Sequence, residues 1–177
     1  MNIDKDIVFD IEANGLLEDA TNIWCISFLH IDKSYSQTLF GASLNRDNIA
    51  THFHGRRLIG HNIIGYDIPM IKKFFGIDLI KEVGNENIID TLIMSQCLFP
   101  DRQLPKGCPE SIKNPVTGLS KKVTPHSLEA WGYRCGRKKI EIHDWRTFSP
   151  EIISRCEEDV LITKDTYFKL LKEAGIN

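Results

Sequence analysis

The chain has 177 residues, 42% of them hydrophobic and 26% charged, with a formal net charge of −2 and a pI near 6.3. That length buries one proper core without disulfide or metal staples, and the balance of charge argues against a protein that coats nucleic acid through bulk positive charge. It does not exclude an enzyme that acts on nucleic acid, because acids that hold metal ions lower the net charge.

Residues 6–11 (DIVFDI) read as a buried strand, apolar and β-branched almost throughout, followed by apolar strands at 23–29 (IWCISFL) and, with more alternation, 34–40 (SYSQTLF). The short connections among these three favour antiparallel neighbours. A short helix is expected at 46–54 and an interior strand at 57–60 (RLIG), ending on the polar pair His61-Asn62. Residues 67–75 have helical apolar spacing, with Asp67 near the start and Pro69 in the first turn, where a missing N–H costs nothing. A strand at 87–90 leads into a helix at 91–98. Residues 100–125 hold five of the seven prolines and read as an irregular excursion within a single domain spanning 1–177. A helix at 126–133, a basic turn and a helical stretch at 149–174, expected as two pieces, complete the pattern. Three strands followed by alternating strands and helices imply an α/β fold with a mixed central sheet and flanking helices.

Five cysteines without C-x-x-C spacing read as reduced thiols rather than a zinc ribbon or dithiol motif. The N-terminus lacks a signal-peptide layout, and no apolar run approaches the roughly 18 residues of a membrane span. A soluble, cytoplasmic protein without membrane partners is therefore expected.

The chemistry-bearing residues are acidic. In FDIEANG, Asp10 and Glu12 lie two apart on a strand and so share one face. Side by side at the end of a buried strand they repel unless a cation lies between them. An exposed edge-strand pair, or carboxylates matched by basic side chains, remain open alternatives. Asp67 opens a helix after GHNIIGY, where a carboxylate is also an ordinary partner of the helix dipole. Asp159, in SRCEEDVLIT, sits one turn before Thr163 and by itself reads as a solvated acidic helix end.

Together, in the order D-x-E, N-x4-D and a late E-D-V-x-x-T, these motifs resemble the DEDD (DnaQ-like) family of 3′–5′ exonucleases, which have the ribonuclease H-like fold. The likeness is strongest to the proofreading domain of family-A DNA polymerases of short-tailed phages. FDIEANGLLEDAT, GHNIIGYDIP, IIDTLIMSQ, HSLEAWGYRCG and EDVLIT all resemble that domain in the same order, over nearly the whole chain. The resemblance implies a DNA-degrading enzyme with catalytic, metal-holding Asp10, Glu12, Asp67 and Asp159. Two Mg2+ or Mn2+ ions are implied, as suits hard oxygen ligands. By the family pattern Asp10 bridges both ions, Glu12 and Asp159 complete the tighter site, and Asp67 holds the second ion. Two ions roughly 3.5–4 Å apart activate the attacking water and stabilise the leaving 3′ oxygen, releasing nucleoside 5′-monophosphates.

Leu16 matches the position that wedges against the terminal base, and Asn62 is placed to bond the terminal nucleotide; a turn closing on the core and a structural turn amide are their plainer roles. The implied partners are single-stranded DNA 3′ ends, or RNA, and a separate DNA polymerase served by a stand-alone proofreading subunit, in host cytoplasm if phage-encoded. Trp24, Trp131 and Trp145 are candidates for base stacking, with core packing favoured for Trp24 and Trp131. The basic run at 134–139 (RCGRKK) and the pair Lys121-Lys122 read either as phosphate contacts or as solvated surface.

One departure stands out. The family places Tyr or His four residues before the last Asp, orienting the attacking water; here that residue is Arg155. Arginine offers no acceptor and stays protonated, so it is no general base. It can pair with Asp159 at i,i+4 or contact the scissile phosphate. Either the ions suffice, or Tyr66, Tyr133 or His143 orients the water, or the domain has become a nucleic-acid- or polymerase-binding module. Retention of all four acids favours activity, on DNA or, as in exoribonucleases of the same superfamily, on RNA.

Overall fold

Strand alternation sets the frame. In the computed structural model, described over residues 5–32, 35–113 and 118–176, β1 (Asp6–Ala13) is the central strand of a five-stranded sheet. It pairs antiparallel with β2 (Ile23–His30), which pairs antiparallel with β3 (Tyr35–Phe40). On its other side it runs parallel to β4 (Arg57–Gly60), and β4 runs parallel to β5 (Ile88–Asp90), giving the order β3-β2-β1-β4-β5. The expected α/β architecture with a mixed sheet is what forms. Ser34, counted in the third expected strand, lies outside the described residues.

Odd-numbered residues of β1 (Ile7, Phe9, Ile11) face one layer, built from Ile49 and Phe53 of α1 (Arg46–Phe53) and Ile68, Met70 and Ile71 of α2 (Asp67–Phe75). Even-numbered Val8 faces the other layer, against Val160, Tyr167 and Leu171 of the long C-terminal helix. Between these elements lie α3 (Leu79–Val83) and α4 (Thr91–Leu98). α4 joins α5 (Leu128–Cys135) around Trp131, Ile162 and Leu170. Trp131 is fully buried, with the guanidiniums of Arg102 and Arg134 over its ring at 4.7 and 4.9 Å.

The C-terminal helix, α6 (Pro150–Glu173), is one continuous 24-residue helix and not two pieces. Pro150 stands where helices tolerate it, no Gly or Pro follows until Gly175, and Gly175 with φ 73° ends the run. The acidic stretch that resembles a helix end is instead divided among three sides: Glu157 accepts from Thr38 Oγ1 at 2.8 Å, Glu158 from Arg137 at 3.2 Å, and Asp159 turns inward.

Among its described residues the Pro-rich stretch is irregular apart from a short antiparallel pair, β6 (Ser111–Lys113) with β7 (Ser120–Lys122), too short and too polar to show a strand period in sequence. Among the described residues no helix is long and apolar enough to cross a membrane.

Candidate metal centre

The alternation that buries Val8 also carries Asp10 and Glu12 onto the α6 face, just beyond the core. Their Cα partners on β2 are Ser27 and Cys25. α6 crosses this end of the sheet, and its Asp159 is buried beside them. One carboxylate oxygen from each of Asp10, Glu12 and Asp159 lies within 4.8 Å of the other two. Burial, and then the Asp159 charge, pushes the Asp10 carboxyl up from 3.8 to about 7. Burial and then Asp10 push Glu12 well above the usual carboxylate range. Asp10 and Glu12 in this arrangement favour their protonated forms unless a cation joins them.

The protein supplies part of that compensation. Arg155, one turn before Asp159 on α6, places Nε 3.0 Å from Asp159 Oδ2 and 3.6 Å from Glu12 Oε1, and donates from Nη1 to the Ile140 carbonyl. Lys139 brings Nζ to 2.7 Å from the same Asp159 Oδ2. Both cations therefore fall on one oxygen. Asp159 Oδ1 is buried and has no hydrogen-bond partner. A buried carboxylate oxygen without a partner, on a residue grouped with two further acids, fits a hard divalent cation, since burying it unpaired is otherwise costly. The thiol of Cys156 donates to the Asp10 carbonyl at 3.3 Å, tying the end of β1 to α6.

Asp67 stands beside this group, not within the tight trio. β1 continues past its last partner on β4, Val8↔Ile59. There Asp67 Oδ1, at the start of α2, accepts the Ile11 N–H at 3.1 Å. Burial, then the nearby Asp10 charge, pushes Asp67 well above its ordinary value.

Because β1 and β4 are parallel, the loops that follow them emerge at the same end of the sheet. The loop after β1 exposes Leu16, 73% accessible. That loop is tied to α2: Tyr66 Oη donates to the Gly15 carbonyl at 2.7 Å, and Lys73 Nζ to the Leu17 and Ala20 carbonyls at 2.8 Å each. The loop after β4 holds the exposed Asn62 at φ 63°, a left-handed conformation uncommon outside glycine. Asp90 fixes it, accepting the Asn62 and Leu92 N–H groups on Oδ1 at 2.8 and 2.9 Å and that of Ile64 on Oδ2 at 3.1 Å. A Cβ at Gly65 would sit 2.7 Å from Asn62 Oδ1, so a larger residue there would make the Asn62 side chain shift.

Of the three alternative water-orienting residues, Tyr66 already donates its hydroxyl to Gly15, and burial, then Asp67, pushes it up to about 12. Tyr133 lies on α5 and His143 is exposed. In the basic run, Arg134 is occupied by the Pro125 and Gln103 carbonyls, Arg137 by Asp165 and Glu158, and Lys139 by Asp159. Sequence reasoning did not single out Lys139, Asp90 or Cys156. The neighbouring His61 is half-buried, with Nδ1 2.9 Å from Thr91 Oγ1, and is pushed down to about 3 by burial and then Lys139.

Residues 7–104 match the RNase H superfamily. The chain is 32% identical to the DNA-directed DNA polymerases of Escherichia phage T7 and of Enterobacteria phage T3, in alignments covering 94% of this chain and 27% of each polymerase. It thus spans about a quarter of the length of those relatives. A solved structure described as "apo form of the nuclease" superposes with a TM-score of 0.63 at 19% identity, over 95% of this chain and 72% of that one, a likeness of fold. With its mixed β3-β2-β1-β4-β5 sheet and sequence matches over most of its length, the chain belongs to the RNase H superfamily.

Proposed function

We propose that this protein is a metal-dependent 3′–5′ exonuclease that releases nucleoside 5′-monophosphates from single-stranded DNA ends. The observation that carries this reading is the convergence of one carboxylate oxygen each from Asp10, Glu12 and Asp159 to within 4.8 Å of one another, on a trio in which a buried Asp159 oxygen has no hydrogen-bond partner. Asp10, Glu12 and Asp159 would hold one Mg2+ or Mn2+, and Asp67 would help hold a second. Such ions, when bound, supply an activated water and stabilise the leaving 3′ oxygen.

The remaining roles belong to the chain itself. Leu16, exposed on a loop that Tyr66 and Lys73 tie down, is suited to lie against the terminal base. Asn62, fixed by Asp90, is suited to bond the terminal nucleotide. Arg155 carries no acceptor and acts as a charge partner, not as a base. Proofreading beside a DNA polymerase is the biological setting that the relatives' names support, with residues 1–177 serving as one exonuclease domain.

Purified protein is incubated with single-stranded DNA, and separately RNA, in Mg2+, Mn2+ or chelator. Mononucleotide release that disappears with chelator and with Asp10→Ala is the expected result. Binding without release in either metal would refute the enzyme and favour a binding module, and release from RNA alone would make it an exoribonuclease.

A further inference from the structure

Two cations share the acidic site, and they are held differently. Arg155 is pinned at three points, on Asp159, Glu12 and the Ile140 carbonyl. Lys139 arises from the non-helical segment between α5 and α6. Among the described residues its ammonium makes one ion pair, the 2.7 Å contact with Asp159 Oδ2, and its side chain is 13% exposed. Lysine is a compact charge on a flexible four-carbon stem, whereas a guanidinium gripped by several acceptors stays where it is. Of the two, Lys139 is the one free to leave.

The distribution over Asp159 sharpens this. Both protein cations rest on Oδ2, and Oδ1, buried and unpartnered, is the oxygen left for a metal ion. A divalent charge drawn to that carboxylate repels an ammonium on the same group. The ammonium then needs a new anion, and the phosphate of a bound strand is the anion that such a site receives. Lysine suits that exchange as a point-charge phosphate ligand without demanding geometry.

We propose that Lys139 is a phosphate-binding residue of this site: its ammonium rests on Asp159 Oδ2 in the metal-free protein, is released when that carboxylate turns to a divalent ion, and then pairs with a non-bridging oxygen of the scissile phosphate. The phosphate half rests on the exonuclease reading above; the counter-ion half does not. Arg155 remains as the fixed counter-charge that holds α6 to the segment at Ile140.

The two halves are tested separately. Calorimetric titration with Mn2+ in the absence of nucleic acid compares wild type, Lys139→Met and Lys139→Arg. Lys139→Met should bind Mn2+ more tightly, by about fivefold or more, because a largely buried ammonium no longer competes with the ion for Asp159, and Lys139→Arg should match wild type. Unchanged or weaker Mn2+ binding by Lys139→Met overturns the counter-ion role. Fluorescence anisotropy with a labelled single-stranded oligonucleotide is then measured in Ca2+ and in chelator. Lys139→Met should weaken binding in Ca2+ and hardly at all in chelator, with Lys139→Arg restoring it. An equal loss in both, or none in either, overturns the phosphate role. Wild-type protein that takes up Mn2+ but binds no single-stranded DNA overturns the proposed function and the phosphate role with it, while the Mn2+ result judges the counter-ion role by itself.

Discussion

Replacing Arg155 with Met asks whether this residue is a vestige of a lost water-orienting group or part of the machinery that keeps the acids together. At an effective dielectric of about 20, its 3.0 Å contact to Asp159 is worth roughly 5.5 kcal/mol before desolvation, and the 3.6 Å contact to Glu12, whose carboxyl is pushed well above its usual range, adds less. Stripping water from a guanidinium only 18% exposed takes back much of this. What remains is the penalty of leaving carboxylates short of a partner, about 3–5 kcal/mol for a buried pair. With Lys139 still on Oδ2, the lower end applies. At about 2–4 °C per kcal/mol for a domain of this size, a loss of about 3 kcal/mol lowers the melting temperature by about 6–12 °C. The assay is thermal melting followed by circular dichroism, in chelator and in saturating Mn2+. The drop should be full in chelator and less than half as large with Mn2+, because the ion replaces the missing positive charge. No drop, or an equal drop in both conditions, would refute the counter-charge role.

Three further outcomes follow from the same geometry. Asp10 titrates near 7 in the folded metal-free protein against 3.8 when unfolded, so its contribution to stability is fully present below about pH 4 and is lost as pH rises through about 7; Mg2+ should therefore raise the melting temperature more at pH 8 than at pH 5, and an equal gain would count against a carboxylate metal site. Asp90→Asn sets an amide N–H2 against one of the three N–H donors that Asp90 now satisfies, which should cost about 1–3 kcal/mol by chemical denaturation and accelerate hydrogen exchange at Asn62 and Ile64. Leu16→Ala, at a 73% exposed position, should leave stability within about 0.5 kcal/mol while raising the KM for single-stranded DNA; a matching loss of stability would mean that Leu16 packs on the core instead.

The parts of the fold and site that were legible in the sequence are those written in local periodicity. The period-two alternation of β1 alone places Val8, Asp10 and Glu12 on one face, and the helical spacing around Val160 and Tyr167 fixes which side of α6 meets the sheet. Arg155 and Asp159 pair at i,i+4, one of the two contacts the spacing offered. What stayed hidden depends on tertiary approach. Nothing in RCGRKK marks Lys139 off from Arg137, yet one reaches Asp159 and the other Asp165 and Glu158 on the outer side of the same helix. α6 is one helix where two pieces were expected, and Glu157, Glu158 and Asp159, which read alone as a solvated acidic end, lie in its interior. Each has its own partner from a different direction, and only the assembled sheet, loop and helix supply them. Asp90 was likewise unremarkable as the last residue of a short strand, because the loop it organises lies 26–28 residues earlier in the chain.

The most direct test of the central claim is a time course on one single-stranded oligonucleotide labelled in parallel at either end, in Mg2+. A 3′–5′ exonuclease releases the 3′ label as mononucleotide from the earliest points, while the 5′ label moves down a ladder of single-nucleotide steps, and Asp10→Ala and Asp159→Ala stop both. Early release of the 5′ label, internal fragments, or digestion that survives loss of these carboxylates would contradict the account.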